Sequence, residues 1–119
     1  PFINGDGGFS RDFTYIDNVS QINALAMQAQ NPEALNTVYN VAVGERISLN
    51  ELADTLKNLL SVHDPAIADL PILHGPERLG DVPHSQASIE KARQLLAYNP
   101  QHNAQDGLKE AVAWYTENL

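Results

Sequence analysis

Apolar residues recur at helical spacing in several stretches of the chain, and polar caps mark where these stretches begin. The first stretch predicts a helix over residues 18–30, with Asp17 or Asn18 available as its cap. The second begins with Ser48 and Glu51, the pair of a capping box in which each residue satisfies a free backbone N–H. Leucines and alanines on one stripe follow this box, so the pattern predicts an amphipathic helix.

The second half of the chain continues this pattern. Ser88 is the predicted cap of a third helix, and a fourth helix is predicted over residues 104–117. Extended segments are shorter than the helices. The run 38–43 is β-branched, aromatic and almost continuously apolar, which predicts a buried strand of the kind found in parallel sheets. Residues 71–74 predict a short strand, and residues 77–85 predict a loop.

The amino-terminal segment begins as a short apolar stub at residues 2–4 and is interrupted by glycines. The glycine cluster at residues 5–8 predicts a turn, and residues 13–16 predict another short extended piece. Helices separated by short strands indicate an α/β fold, mostly helical, that forms one domain over residues 1–119. Because the chain begins as though inside a strand, we expect it to be part of a longer protein.

Composition narrows the classes of function. The 119 residues carry a formal net charge of −8, and their seven lysines and arginines form no basic run. Such a surface repels nucleic acid and anionic lipid, so we expect neither as a partner. Cysteine is absent, which excludes disulfides and thiolate chemistry and is typical of a reducing cytoplasm, the expected location. No apolar run approaches the roughly 20 residues that a membrane span needs.

The sequence contains no recognisable catalytic constellation. No serine lies in a Gly-x-Ser-x-Gly turn, no Gly-x-x-x-x-Gly-Lys loop occurs, and no tyrosine has a lysine four residues later. The glycines at residues 5–8 lack the spacing of a dinucleotide fingerprint. The four histidines lack metal-ligand spacing and are interpreted as surface or loop residues: His63, His74, His84 and His102. We therefore expect no metal site.

Two arginines lie in loops rather than on the solvent faces of helices. Arg11 follows the glycine turn, and Arg78 begins the segment 78–82. A guanidinium is a permanently charged planar fork that fits phosphate oxygens. The residues alone leave two alternatives for each arginine. One is a contact with a ligand, and the other is a side chain that is exposed to solvent or paired locally with Asp12 or Asp81.

These segments, in this order, resemble the extended short-chain dehydrogenase/reductase family, in particular its NAD-dependent epimerases, decarboxylases and dehydratases of sugar nucleotides. The motif Gly-Asp-Gly-x-x-x-Arg-Asp-Phe-x-Tyr-Ile-x-Asn-Val spans residues 5–19. The strand and helix pattern of residues 39–52, the loop Arg-x-Gly-Asp-Val at 78–82 and the tail at 95–115 follow in register. The resemblance covers nearly the whole chain and is nearest to the carboxyl-terminal part of bacterial UDP-N-acetylglucosamine 4-epimerases.

The resemblance implies a fold and a set of binding residues. The fold would be the substrate-binding portion of a Rossmann-type dehydrogenase, and its partner would be a UDP-sugar. Arg11 and Arg78 would hold the diphosphate, and Asp81 would accept a hydrogen bond from a ribose hydroxyl. Ser85 would border the sugar pocket, where a small side chain leaves room for an N-acetyl group. None of these residues is expected to be catalytic.

The resemblance also implies a reaction. The parent enzyme would interconvert UDP-N-acetylglucosamine and UDP-N-acetylgalactosamine by transient oxidation at C4 with bound NAD. The family's glycine fingerprint, Tyr-x-x-x-Lys pair and catalytic Ser/Thr would lie upstream, so the 119 residues alone are expected to be inactive. A UDP-sugar decarboxylase or dehydratase of the same family, and a non-catalytic nucleotide-binding or assembly module, remain as alternatives.

Two departures from the family pattern bear on the fold. The family usually has aspartate where this chain has Ser88, and glycine where it has Ala97. Alanine would be strained at residue 97 if its φ were positive. Separately, a strand over 38–43 taken from a larger sheet would leave an unpaired edge. We therefore expect the chain to form a homo-oligomer.

Overall fold

Helices and short strands alternate along the chain in this computed structural model, which describes residues 1–118. Their order is β1 (Phe2–Asn4), β2 (Ser10–Arg11), α1 (Ile16–Gln28), β3 (Ile47–Ser48), α2 (Leu49–Ser61), β4 (Leu73–Gly75), α3 (Glu90–Leu96) and α4 (Ala104–Asn118). Two 3₁₀ turns, Pro32–Ala34 and Pro65–Asp69, lie in the connections. The predicted α/β class with a few short strands is confirmed.

The strands form two separate two-stranded sheets. β1 pairs in parallel with β4, with Ile3 opposite His74, and β2 pairs antiparallel with β3, with Arg11 opposite Ile47. Two strands alone are marginally stable in water, so both sheets depend on neighbouring elements. β3 runs directly into α2, and β1 faces the same helix across an apolar groove. The predicted strand at 71–74 is confirmed as β4, shifted towards Gly75.

The capping box at the start of α2 forms as the sequence predicts. The Glu51 N–H donates to Ser48 Oγ at 3.1 Å, and the Ser48 N–H donates to Glu51 Oε2 at 2.7 Å. These bonds favour the ionised carboxyl and lower the pKa of Glu51. Behind the box, Leu52, Leu56 and Leu60 face the apolar groove.

The helix α1 begins at Ile16, and neither Asp17 nor Asn18 caps it, so that prediction is wrong. The Asn18 side chain is buried, with 1% of its surface exposed, and is fully paired. Its Nδ2 donates to the His102 carbonyl at 2.7 Å, and its Oδ1 accepts the N–H groups of Gln101 and His102 at 2.9 and 3.2 Å. Asn18 therefore connects α1 to the loop that precedes α4.

One buried cluster forms the core among α1, α3 and the segment before β3. Tyr98, 1% exposed, lies within it, and its hydroxyl donates to the Ala42 carbonyl at 2.9 Å. Burial, with a smaller effect from the charge of Asp12, raises the pKa of this tyrosine. The other members of the cluster are Ile22, Ala34, Ala42, Ile89, Ala92 and Leu96.

The predicted strand at 38–43 is wrong, because the segment pairs with no strand among the described residues. Val38 is 84% exposed, and the N–H of Val43 donates to the carboxylate of Asp12 instead of joining a ladder. The extended piece predicted at 13–16 is also wrong: the strand lies earlier, at Ser10–Arg11, and the helix has begun by Ile16.

The two ends of α3 test two predictions, of which the one at the start is wrong and the one at the end is confirmed. Ser88 does not cap the helix; the cap position is Ile89, and no side chain accepts a bond there. The Ser88 carbonyl instead accepts a hydrogen bond from Asn40 Nδ2 at 3.2 Å. At the other end, Ala97 has φ of 53°, the left-handed conformation that glycine adopts without cost. The anticipated backbone strain is therefore present at Ala97.

The described residues form a flat body of 54 × 37 × 18 Å. Its radius of gyration is 17.2 Å, compared with about 13.5 Å expected for a compact domain of this length. The flat shape leaves an open groove of about 530 Å³ between β1 and α2, lined mainly by apolar side chains such as Phe2, Ile3 and Leu56. Within residues 1–118, no helix is both long enough and apolar enough to cross a membrane.

Replacing Asn18 should destabilise the fold far more than replacing Asn23 on the same helix. Asn18→Ala leaves two part-buried N–H groups and a carbonyl without their partner, and each such loss costs about 1 kcal/mol or more. Asn23 is exposed and bonds only within its helix, to the Val19 carbonyl, so Asn23→Ala should cost less than about 0.5 kcal/mol. Urea unfolding followed by circular dichroism measures both, and equal losses would contradict the role assigned to Asn18.

Candidate functional site

The carboxylate of Asp12 joins three segments of the chain beside β2. Its Oδ1 accepts the Val43 N–H at 3.0 Å, and its Oδ2 accepts the N–H groups of Gly44 at 3.0 Å and Ala87 at 3.5 Å. Hydrogen bonds to an ionised acceptor are stronger than neutral ones. The segment before β3 and the segment before α3 are therefore held next to Arg11, the residue that precedes Asp12.

A second set of bonds holds the 78–85 loop against β2. The Ser10 N–H donates to the Pro83 carbonyl at 2.9 Å, and the Ser85 N–H donates to the Ser10 carbonyl at 3.1 Å. The Ser10 hydroxyl lies 2.9 Å from His84 Nδ1. Ser10 is 7% exposed, so these bonds are shielded from water. The loop that the sequence predicts is confirmed, and its carboxyl-terminal end is fixed alongside Arg11.

Arg11 and Asp81 form an ion pair. Arg11 Nη2 lies 2.6 Å from Asp81 Oδ1, and its Nη1 donates to the Ser10 carbonyl at 2.9 Å and the Pro83 carbonyl at 3.5 Å. The two side chains are 27% and 34% exposed, so solvent reaches the pair. Neither of the local pairs that the sequence left open forms within residues 1–118. Arg11 instead pairs with Asp81, and the carboxylate of Asp12 bonds backbone N–H groups.

Arg78 lies in the same turn as Asp81. The Asp81 N–H donates to the Arg78 carbonyl at 3.2 Å and closes this turn, whose tip residue Leu79 is completely exposed. Within residues 1–118 the exposed Arg78 side chain makes no hydrogen bond or ion pair. Ser85 is exposed as well and contacts β2 through its backbone. The structure thus brings Arg11 and Asp81 together, and a common ligand for Arg11 and Arg78 stays a prediction.

A cavity of about 240 Å³ opens on the other side of Arg11. It lies between the strand pair β2–β3 and the start of α4, and its walls include Phe13, Val43 and Gln105. Arg46 also lines it, although the sequence gave no reason to single this residue out. Cavities that enclose a whole small ligand usually measure about 300–1,000 Å³. This cavity therefore has room for part of a nucleotide sugar.

The glycine cluster serves packing, and NAD does not fit it. Gly7 has φ of 78°, and a Cβ on it would lie 2.0 Å from Asn50 Oδ1. The Asn50 N–H donates to the Gly7 carbonyl at 3.1 Å, which ties the turn to the first turn of α2. A dinucleotide cradle needs glycines that lead from a strand into a helix, whereas this turn leads into β2. The NAD site is not in this chain.

No group of residues within 1–118 has the composition and geometry to hold a metal ion. His84 contacts Ser10, His74 Nδ1 lies 3.1 Å from the Gly5 carbonyl, and the ring of His102 packs against Tyr15 with centroids 5.1 Å apart. His63 is exposed after α2. The interpretation of the histidines as surface or loop residues agrees with these positions.

The sequence relatives of the chain include enzymes named for UDP-sugars, although no protein-family profile matches the chain. A protein of Methanocaldococcus jannaschii is 32% identical over 118 residues, which cover 99% of this chain and 35% of that protein. The UDP-glucuronate 4-epimerase of Thermodesulfobacterium geofontis is 31% identical over 118 residues, 98% of this chain and 33% of the relative. A UDP-N-acetyl-α-D-glucosaminuronate decarboxylase of Bacillus cytotoxicus is 26% identical, with 97% and 35% covered. The chain spans about a third of these relatives.

Solved structures with a similar fold also include UDP-sugar 4-epimerases. The UDP-glucose 4-epimerase of Thermotoga maritima, with UDP-glucose, has a TM-score of 0.83 and 31% identity, covering 98% of this chain and 34% of that one. The UDP-N-acetylglucosamine 4-epimerase of Methanobrevibacter ruminantium, in complex with UDP-N-acetylmuramic acid, has a TM-score of 0.83 and 29% identity, covering 100% and 35%. The fold is also that of the Bacillus cereus UDP-glucuronic acid 4-epimerase with NAD, at 24% identity, TM-score 0.79 and coverage of 99% and 35%.

Asp12 should matter more for stability than Asp81. Asp12→Asn replaces a charged acceptor of three N–H groups and turns an amide donor towards at least one of them, which should cost about 2 kcal/mol. Asp81→Asn breaks a solvent-accessible ion pair and should cost less than about 1 kcal/mol. Chemical denaturation of both variants and the wild type distinguishes them. The role of Asp12 would be refuted by a smaller loss at residue 12 than at residue 81.

Proposed function

Because the chain is homologous to part of the UDP-sugar 4-epimerases of the NAD-dependent epimerase/dehydratase family, we propose that it is the UDP-sugar-binding portion of such an enzyme. The parent enzyme would interconvert UDP-N-acetylglucosamine and UDP-N-acetylgalactosamine. The observation that carries the proposal is the contact between Arg11 and Asp81, which come from the two segments with the strongest family resemblance. Since the two residues touch, one ligand can reach both segments.

The arrangement around Arg11 supports a diphosphate as the group that is bound. Three of its five guanidinium N–H groups are used by Ser10, Pro83 and Asp81, so two remain for a ligand. The Arg78 side chain is exposed three residues before Asp81 and can reach the same ligand from the turn. A charge-assisted hydrogen bond contributes about 1.5–3 kcal/mol, so two arginines would suffice for measurable UDP binding. Asp81 would then accept a bond from the ribose.

The choice of an N-acetylated sugar rests on Ser85. Its backbone is fixed to β2 by the bond to the Ser10 carbonyl, while its small side chain stays exposed. A large aromatic side chain at this position would fill the space that an acetyl group needs. Decarboxylation is the second candidate reaction, because a UDP-sugar decarboxylase is among the sequence relatives. An assay of C4 epimerisation by the full-length parent enzyme would distinguish the two reactions.

The 119 residues alone are proposed to be catalytically inactive. No tyrosine of the chain has a lysine four residues later, and the glycine turn does not cradle a dinucleotide. The contribution of this chain is therefore to bind and orient the UDP-sugar, while the hydride carrier and the proton-transfer residues belong to the rest of the parent enzyme.

Calorimetric titration of the chain with UDP tests the proposal directly. We expect binding that weakens at least about tenfold in Arg78→Ala and in Arg11→Ala, because each removes a charge-assisted contact. Arg93→Ala is the matched control, since Arg93 lies on α3 and pairs with Glu90, and it should bind as the wild type does. The proposal would fail if a folded wild-type chain did not bind millimolar UDP, or if Arg93→Ala weakened binding as much as the other two variants.

Self-association of the chain is also proposed, although not through the segment 38–43, which forms no strand. The surface to be covered is the apolar groove beside β1, where Phe2 is 62% exposed. We expect light scattering to show a dimer or larger species at high concentration, and Leu56→Lys to shift it towards the monomer because it places a charge in the groove. A wild-type chain that stays monomeric at high concentration would overturn this proposal.

A further inference from the structure

Arg46 is the second arginine that lines the cavity beside Arg11. It lies one residue before β3, and β3 pairs with β2 so that Ile47 is opposite Arg11. Arg46 is therefore next in sequence to the residue opposite Arg11, and both arginines line the cavity. Unlike Arg11, Arg46 forms no ion pair or side-chain hydrogen bond within residues 1–118, and it is exposed. Its charge is thus available to a ligand without breaking an existing contact.

The walls of this cavity suit a small anion better than an apolar group. Asn103 and Gln105 contribute amides from the start of α4, and the apolar contributions come from Phe13, Val43 and Ile47. The volume of about 240 Å³ is below that of cavities that enclose a complete ligand. A phosphate group fits within this volume with room to spare, and the planar fork of a guanidinium matches its oxygens.

We propose that the cavity between Arg11 and Arg46 takes a phosphate group of the sugar nucleotide, with Arg46 as an additional phosphate-binding residue. This assignment rests on the proposed function, since the nucleotide sugar is the ligand that supplies the phosphate. It adds a third arginine to the pair at residues 11 and 78, and it places one phosphate on the β3 side of Arg11.

Glu45 makes the proposal testable in both directions. Glu45 lines the same cavity, one residue before Arg46, and its negative charge opposes an anion that enters. Removing the positive charge of Arg46 should therefore weaken phosphate binding, whereas removing the negative charge of Glu45 should strengthen it. A loss of fold would not produce opposite effects at neighbouring residues. A general effect of net charge would give the same two signs, and it would also weaken UDP binding when the same charge is removed elsewhere on the chain, at Arg93.

The experiment titrates the chain with UDP and with uridine, by nuclear magnetic resonance so that weak binding is measurable. For UDP, Arg46→Gln should weaken binding about tenfold or more. Glu45→Gln should tighten it about twofold to fivefold, the range of an exposed charge interaction. Neither variant should change the affinity for uridine. Arg93→Gln, which removes the same charge on α3, is the control and should leave UDP binding unchanged, and thermal melting verifies that all variants fold.

The outcomes separate this inference from the proposed function. If the wild type binds UDP but Arg46→Gln binds it equally well, the phosphate assignment is wrong while the proposed function stands. If the folded wild type does not bind UDP, the proposed function itself fails. A further arm compares UDP-glucose with UDP-glucuronate: a loss in Arg46→Gln confined to the glucuronate would assign Arg46 to the sugar carboxylate and overturn the phosphate assignment.

Discussion

The carboxylate of Asp12 is the contact on which the arrangement of the candidate site depends. It accepts N–H groups from residues 43, 44 and 87, in two segments that are distant from Asp12 and from each other in the sequence, and Asp12 directly follows Arg11. Those N–H groups would otherwise need other partners, because leaving buried backbone groups unpaired is costly. With these segments fixed, the loop 78–85 lies on one side of Arg11 and the β3 segment with Arg46 on the other. The position of Arg11 relative to both segments therefore depends on the hydrogen bonds of the Asp12 carboxylate.

Features whose cause is local in the sequence were predicted well. The capping box of Ser48 and Glu51 joins residues three apart, and α4 follows from the spacing of its apolar side chains. The strain at Ala97 was also anticipated, since the family's glycine at that position signals a positive φ. The wrong predictions concern residues with distant partners. Asn18 has the residue type of a helix cap, but its side chain bonds residues 101 and 102. The run 38–43 has the composition of a strand, but its Val43 N–H bonds Asp12 and its Ala42 lies in the core.

In the candidate site, too, the sequence identified single residues but not their distant partners. Arg11, Arg78, Asp81 and Ser85 were identified by resemblance, and their residue types alone left the ion-paired alternative open. The structure shows the pair of Arg11 with Asp81, seventy positions away, which no local pattern could have predicted. It also shows Arg46 in the cavity of Arg11, and nothing in the sequence had singled this residue out.

We propose that the guanidinium of Arg11 faces the diphosphate of a bound sugar nucleotide. Side-chain NMR of the arginine Nε–H groups, assigned by Arg→Lys substitution, measures this most directly during a titration with UDP. We expect the resonance of Arg11 to move on adding UDP, while that of Arg93 on α3 stays in place. An Arg11 resonance that does not move at saturating UDP, while the backbone amides report binding elsewhere, would show that Arg11 does not face the diphosphate.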